Sequence, residues 1–161
     1  MSIEKVRAYF KSQGIEDRIQ EFDVSSATVE LAAQAVGVEG ARIAKTLSFK
    51  LGEKVLLIVC AGDAKVDNRR YKDRFGGKAS LLSHDEAATL VGHAMGGVCP
   101  FAVNEGVEIY LDESLRRFAT IFPAAGSSNS AIELSCDELE TYSGGTWVDV
   151  CKAWRPDEQE V

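Results

Sequence analysis

The chain has 161 residues, of which 45% are hydrophobic and 27% are charged, and its formal net charge is −7. This length favours one domain that buries a sizeable core. The acidic balance argues against a non-specific nucleic-acid coat or an anionic-membrane binder, although it leaves recognition of one nucleic-acid end open. We expect a single domain over residues 1–154 and an acidic, frayed tail over residues 155–161.

Nothing in the sequence predicts export, membrane insertion or a metal site. Residues 1–5 lack the apolar segment of a signal peptide, and no apolar run approaches the roughly 20 residues of a membrane helix. The cysteines lie far apart without a Cys-x-x-Cys pair, and the only histidines are His84 and His93. We therefore expect a cytoplasmic protein without metal or other cofactor. We also expect reduced thiols at Cys60, Cys99, Cys136 and Cys151.

The hydrophobic pattern of the first half predicts helices that alternate with extended segments. Apolar residues at helical spacing indicate an amphipathic first helix. The apolar run 54–61 shows no alternation, which is typical of a central strand covered on both faces. The predicted helices cover residues 3–13, a stretch from about 26–28 to Gly37, and 67–75; the extended segments cover 18–22, 43–51 and 54–61.

Two capping boxes, each a serine followed three residues later by a glutamate, mark helix starts at Ser83 and Ser135. The first of these helices is expected to end at Gly92 and the second before Gly144. Further strands are predicted over 107–111, 119–122 and 131–134. The expected fold is α+β, with a mixed, curled, barrel-like sheet of about six or seven strands flanked by helices.

Lys45 lies on the same side of a predicted strand as apolar residues. Alternation in residues 43–51 places it in phase with Ile43, Leu47 and Phe49. A dry, unpaired ammonium costs several kcal/mol, so Lys45 should meet an anion, a polar cavity or a ligand. The alternative is a lysine at a strand end that bends its ammonium out to water.

Residues 96–100, Gly-Gly-Val-Cys-Pro, predict a loop that exposes backbone donors. Glycine tolerates positive φ, so Gly96 and Gly97 can turn their N–H groups toward one point. Such a concave set of donors binds an anion or the oxyanion that develops during acyl transfer. The alternative is a tight turn without a ligand, since paired glycines before a proline are common turn residues.

Several short motifs follow one another along this chain in the order and spacing found in one family of domains. They are residues 28–33 (Thr-Val-Glu-Leu-Ala-Ala) before Val36-Gly37, Lys45-Thr46-Leu47, Ala61-Gly62-Asp63 with Asp67, residues 96–101 (Gly-Gly-Val-Cys-Pro-Phe), residues 119–122 (Ala-Thr-Ile-Phe) with Gly126, and Ile132-Glu133-Leu134. From the first helix to Val150 the chain thereby resembles the YbaK-type editing domains, also called the prolyl-tRNA-synthetase-associated domain family.

The resemblance implies a pocket and an activity, the hydrolysis of mischarged aminoacyl-tRNA by a free-standing deacylase. Lys45 would position the 3′-terminal adenosine or the amino-acid ester, and the amides of Gly96 and Gly97 would hold the oxyanion. Water or a group on the substrate would attack, without a metal or a covalent enzyme intermediate. The implied partner is the 3′ end of a charged tRNA, with an aminoacyl-tRNA synthetase as a further candidate, and neither a membrane nor DNA.

The same resemblance implies a set of substrate contacts. The cysteinyl-tRNA-editing branch would carry a tyrosine near Phe22 and a serine near Ala124, so their absence puts cysteinyl specificity in doubt. A pocket lined by Phe22, Val24 or Ile121 would suit another small amino acid. The substrate-binding residues are expected to be Phe22, Thr46, Val98, Cys99, Pro100, Ala124, Gly126 and Ser127.

Residues 65–78 contain six Lys or Arg and two Asp, a local charge of +4 in an acidic chain. They are candidates to contact tRNA phosphates. The alternative is a solvated helix face whose Tyr71 and Phe75 turn toward the core. The predicted contacts are Lys65, Arg69, Arg70 and Lys72.

Other functions stay compatible with the sequence. A non-catalytic module that senses aminoacyl-tRNA, a nucleotide or an amino acid would use the same pocket. A thiol enzyme would use Cys99 near His93, although apolar loop packing also explains that cysteine. Asp63 is expected to cap or orient the turn at Gly62 rather than act as a base.

Overall fold

The computed structural model describes residues 2–94 and 96–156. The α-helices in these ranges are α1 (Ser2–Ser12), α2 (Val29–Val36), α3 (Asn68–Phe75), α4 (His84–Leu90) and α5 (Cys136–Ser143), and 3-10 helices form at Glu16–Arg18, Gly40–Arg42 and Glu113–Arg117. The strands are β1 (Ile19–Glu21), β2 (Ile43–Leu51), β3 (Lys54–Ala61), β4 (Lys65–Val66), β5 (Glu108–Asp112), β6 (Thr120–Pro123), β7 (Ser130–Ile132), β8 (Leu134–Ser135), β9 (Thr146–Val148) and β10 (Cys151–Lys152).

One mixed sheet organises the molecule, with the strand order β8-β6-β2-β3-β5-β9. β2 and β3 form an antiparallel pair, whereas β6 runs parallel to β2, β5 parallel to β3 and β9 parallel to β5. Residues 56–61 of β3 have no exposed surface. This confirms that β3 is a central strand, and the curled mixed sheet confirms the expected α+β fold.

The helix starts follow the sequence signals closely. Both capping boxes are present, because the Ser83 and Ser135 hydroxyls each accept the backbone N–H of the glutamate three residues on. α5 ends before Gly144, which adopts a left-handed φ of 71°. α4 ends at Leu90 rather than at Gly92.

The predicted strand over 131–134 is wrong as one element. It splits into β7, which pairs with β1, and β8, which pairs with β6. Strands of two or three residues carry too few side chains to show an alternation, which explains why the sequence pattern does not predict β4, β9 and β10 either. The predicted frayed tail lies mostly outside the described residues, and Arg155 within them pairs with Asp149 at 2.7 Å.

The main core joins both ends of the described chain. Val6 and Phe10 of α1, Tyr71 of α3 and Cys151 of β10 are all fully buried in one cluster with β3. The buried Asp112 carboxylate accepts the N–H groups of Ser114 and Val150, each at 2.9 Å, and so fastens the 3-10 helix Glu113–Arg117 to the end of β5. None of the described helices has the length and apolar character needed to cross a membrane.

Candidate active site

A pocket of about 420 Å³ opens beside β2, a volume within the usual range for small-molecule sites. Five segments of the chain contribute to its walls, through residues 26–29 and Ala32, residues 43–48, residues 81–84 and Ala87, Gly96 and Val98, and Phe122, Ala124, Ser130 and Ala131. Most lining side chains are apolar, and no Asp or Glu is found among the described residues that line it. The polar lining residues are Ser26, Thr28, Lys45, Thr46, Ser48, Ser83, His84 and Ser130.

Lys45 is half-buried in the wall of this pocket, opposite Cys60 of β3. Its ammonium donates to the main-chain carbonyls of Gly62, at 3.3 Å, and Ala64. Within the described ranges no carboxylate forms an ion pair with it. An ammonium has three N–H donors, and two of them bind these carbonyls, while the third is not engaged by any of the described residues. The group is thus neither dry and unpaired nor simply extended into water.

The glycine loop differs in part from its prediction. Gly96 adopts the expected positive φ of 82° and lines the pocket. The Gly97 N–H instead donates to the Ala94 carbonyl at 3.0 Å, so it is already occupied. A Cβ at Gly97 would lie 2.7 Å from the Gly126 carbonyl carbon, which shows that Gly97 permits two backbone segments to pack closely.

Cys99 is fully buried and does not line the pocket. Its Sγ lies 3.6 Å from His93 Nε2, which also lies 2.7 Å from the Phe101 carbonyl oxygen. Burial raises the pKa of the Cys99 thiol from 9.0 to about 12, and burial also lowers the pKa of His93. Both shifts favour the neutral side chains, which is the opposite of a thiolate–imidazolium nucleophile.

The remaining predicted substrate contacts divide into two groups. Thr46, Val98 and Ala124 line the pocket, whereas Phe22, Pro100, Gly126 and Ser127 do not. Phe22 is held by its main chain, since its N–H donates to the Asn129 carbonyl at 2.8 Å.

The residues expected to line the substrate pocket, Phe22, Val24 and Ile121, are not among those that line the cavity beside β2. Val24 is 61% exposed, and Ile121 is fully buried in the main core. Ile43, Ala32 and Phe122 supply apolar wall instead, and they form a small cluster with α2.

Several lining residues had no functional signal in the sequence. Thr28 and Ser83 both line the pocket while capping α2 and α4, where their hydroxyls accept the N–H groups of Leu31 and Glu86. The sequence signals for helix starts were visible, but their approach to one cavity depends on the tertiary fold. Within the described chain, no group of three or more His, Cys, Asp or Glu is arranged to hold a metal ion.

The basic segment, residues 65–78, turns an aromatic side toward the core and most of its predicted tRNA-contact residues toward solvent. Tyr71 is fully buried, with its ring 5.2 Å from that of Phe49, so the aromatic side does face the core. Lys65, Arg69 and Lys72 are exposed. Arg70 differs from them, because its guanidinium donates to the Cys151 carbonyl.

Comparisons with known proteins agree with this fold. The model of the aminoacyl-tRNA editing domain matches residues 23–142. This range is well over half of the chain, so the chain belongs to the aminoacyl-tRNA editing domain family, as its motifs indicated.

One individual relative extends the match toward both ends. The chain is 52% identical over 156 residues to the uncharacterized protein YwhH of Bacillus subtilis (strain 168), covering 96% of this chain and 99% of YwhH. It is 26% identical over 112 residues to proline--tRNA ligase of Bacillus cereus (strain AH820), covering 68% of this chain and 20% of the ligase. The chain thus corresponds to about a fifth of the ligase.

Two crystal structures share the fold closely. One is a protein provisionally assigned as a trans-editing enzyme for prolyl-tRNA synthetase, with a TM-score of 0.84, 28% identity, and coverage of 92% of this chain and 96% of that one. The other is the hypothetical protein APE2540, with a TM-score of 0.83, 28% identity, and coverage of 92% and 99%.

The burial of the Cys99 thiol can be tested directly. Because its folded pKa is raised, Cys99 should resist iodoacetamide at pH 8 in the native protein and react after unfolding, as measured by mass mapping of peptides. The raised pKa stabilises the folded state at pH values below 9.0, and this contribution is lost as the pH rises toward 12. The half-buried Cys136 is the internal comparison. Native alkylation of Cys99 at the unfolded rate would contradict this burial.

Proposed function

We propose that this protein is an aminoacyl-tRNA deacylase that hydrolyses the ester of a mischarged tRNA in trans, as a protein separate from the synthetase. The observation that carries the proposal is Lys45, an ammonium in a pocket wall that retains one N–H donor after binding two carbonyls. Membership of the editing-domain family supports the reaction class. The trans arrangement is supported by similarity over most of both chains to the crystal structure assigned to that role.

Ester hydrolysis places negative charge on the carbonyl oxygen as water adds to the carbonyl carbon. The bond from that carbon to the ribose oxygen then breaks, the ribose oxygen takes a proton, and the amino acid leaves with its carboxyl group. In our proposal the remaining N–H donor of Lys45 anchors the ester or the terminal adenosine. A fixed cation next to developing negative charge stabilises the transition state more than the neutral ester.

Gly96 is the second proposed contributor. It lines the pocket with a left-handed backbone, whereas the Gly97 amide is occupied by Ala94. We therefore assign the oxyanion donor of this loop to the Gly96 amide, and we assign Gly97 to holding the loop against residues 126–127. Water or a substrate group is the proposed nucleophile, since the Cys99 thiol lies outside the pocket.

The proposed substrate carries a small amino acid whose side chain is not cationic. The described lining is mainly apolar and includes Ala124 and Ala131, with Lys45 as its fixed positive charge. A cationic side chain would meet that charge without a lining carboxylate to offset it, which is unfavourable. Phe22 is outside the pocket, so of the two departures from the cysteinyl branch, only Ala124 changes the lining directly.

The central test is the rate of amino-acid release from alanyl-, seryl-, threonyl- and cysteinyl-tRNA. Lys45→Ala and Lys45→Met should lower the rate on the best substrate by on the order of 10²–10³-fold, the usual effect of losing an oxyanion donor. Lys50→Ala is the matched control, because Lys50 lies on the same strand, is exposed and pairs with Glu86 at 3.3 Å. Its rate should stay at the wild-type value.

Equal rates in wild type and both Lys45 variants would overturn the role of Lys45. Saturable binding of charged tRNA without release of any amino acid would instead favour a non-catalytic sensor. The folded state of each variant is checked by its thermal unfolding transition.

We also propose that Lys65, Arg69 and Lys72 contact tRNA phosphates. Replacing all three by alanine should raise KM, leave kcat unchanged, and flatten the dependence of log affinity on log salt by about 0.7–0.9 for each phosphate that is no longer neutralised. Lys54→Ala is the control, since Lys54 is exposed on another part of the sheet and pairs with Glu108 at 3.6 Å. An unchanged salt dependence in the triple variant would show that this surface does not bind tRNA.

A further inference from the structure

The two carbonyls that hold Lys45 belong to one short turn, residues 61–64, which follows β3. The Ala64 N–H closes this turn by donating to the Ala61 carbonyl at 2.9 Å. The carbonyls of Gly62 and Ala64 both accept from Lys45, and Asp63 lies between them. The position of the ammonium therefore depends on the position of this turn.

Asp63 is held by a two-pronged ion pair. Its carboxylate accepts from both terminal nitrogens of Arg117, at 3.0 and 2.5 Å, and the two side chains are only 29% and 26% exposed. Paired, parallel hydrogen bonds of this kind fix orientation as well as distance. The ion pair thus joins the turn to the end of the 3-10 helix Glu113–Arg117.

Arg117 is itself fixed on several sides. Its Nε donates to the Ser114 carbonyl at 2.9 Å, and one terminal nitrogen donates to the Trp154 carbonyl at 3.3 Å. The guanidinium also lies 4.9 Å from the Phe118 ring centre and 5.1 Å from that of Trp154. These contacts hold the guanidinium of Arg117 in one orientation at the surface.

The rest of the turn has little room to move. The Ala61 N–H donates to the buried Ser114 hydroxyl at 3.1 Å, a second link to the same 3-10 helix. On the other side, a Cβ at Gly62 would overlap the Gly40 carbonyl and would lie 2.7 Å from Val29 Cγ1. Val29 lines the pocket, so the turn 61–64 is packed between the pocket wall and the 3-10 helix Glu113–Arg117.

We infer that Asp63 and Arg117 are positioning residues for the Lys45 ammonium. Neither lines the pocket, so they act on the substrate only through the turn 61–64 and Lys45. The inference rests on the proposed function for its effect on rate, but not for its effect on Lys45 itself. The sequence predicted that Asp63 orients the turn at Gly62, and the inference adds that this turn in turn orients the Lys45 ammonium.

The test begins with Asp63→Asn, which keeps the side-chain size and removes the charge. Deacylation kcat should fall roughly tenfold to a hundredfold, as expected for a slightly misplaced catalytic group, while KM changes little because the pocket lining is intact. Glu113→Gln is the matched control, since it breaks the exposed pair with Arg116, at 2.9 Å, in the same 3-10 helix. Its kcat should equal that of the wild type.

A double-mutant cycle separates positioning from general damage. In a Lys45→Met background, Asp63→Asn should cause no further loss of kcat if Asp63 acts through Lys45. Full additivity of the two losses would overturn the inference.

A second readout is independent of activity. The ¹H–¹³C signals of the Lys45 ε-methylene, assigned by their loss in Lys45→Met, should show restricted motion in wild type and in Glu113→Gln, and increased motion in Asp63→Asn. Unchanged Lys45 dynamics in Asp63→Asn would also overturn the inference. If the dynamics change as expected but wild-type protein deacylates no charged tRNA, the positioning role stands and the proposed function fails.

Discussion

The binding of one ammonium by two main-chain carbonyls is the interaction on which the candidate site depends. Lys45 lies on β2 with its charge directed to Gly62 and Ala64. A carboxylate partner would neutralise the charge, whereas carbonyl dipoles fix the ammonium and leave its full positive charge available. A fixed but uncompensated cation is what a site needs if negative charge is to appear only during the reaction.

The sheet explains how the chain builds this arrangement. The antiparallel pairing places Lys45 opposite Cys60, so the residues just beyond the end of β3 come within reach of a lysine side chain. β3 is fully buried through residues 56–61, which makes its end a rigid base for the turn that follows. The pocket forms on β2 with α2, α4 and the glycine loop around it, and capping residues of both helices contribute to its wall.

Local patterns in the sequence predict one part of this site, and distant partners determine the other. Strand alternation identifies Lys45 as unusual, the absence of alternation identifies β3 as central, and the order of motifs indicates the family, which the domain match confirms.

Gly97 carries the same glycine signal as Gly96, but a neighbouring carbonyl and residues 126–127 give it another role. Phe22 matches a family position, yet its backbone pairing with Asn129 leaves it outside the pocket. The carbonyl partners of Lys45 have no side-chain signature, since every residue carries a carbonyl.

A crystal structure with a non-hydrolysable analogue, alanine joined by an amide to the 3′ position of adenosine, would show directly whether Lys45 and Gly96 hold the substrate carbonyl. We expect the analogue to occupy the pocket with its carbonyl oxygen about 2.7–3.2 Å from the Lys45 Nζ or the Gly96 nitrogen. The Lys45 contacts to Gly62 and Ala64 should be retained in that complex. An analogue bound outside this pocket, or with its carbonyl beyond hydrogen-bond reach of both donors, would contradict the assignment of Lys45 and Gly96 to the active site.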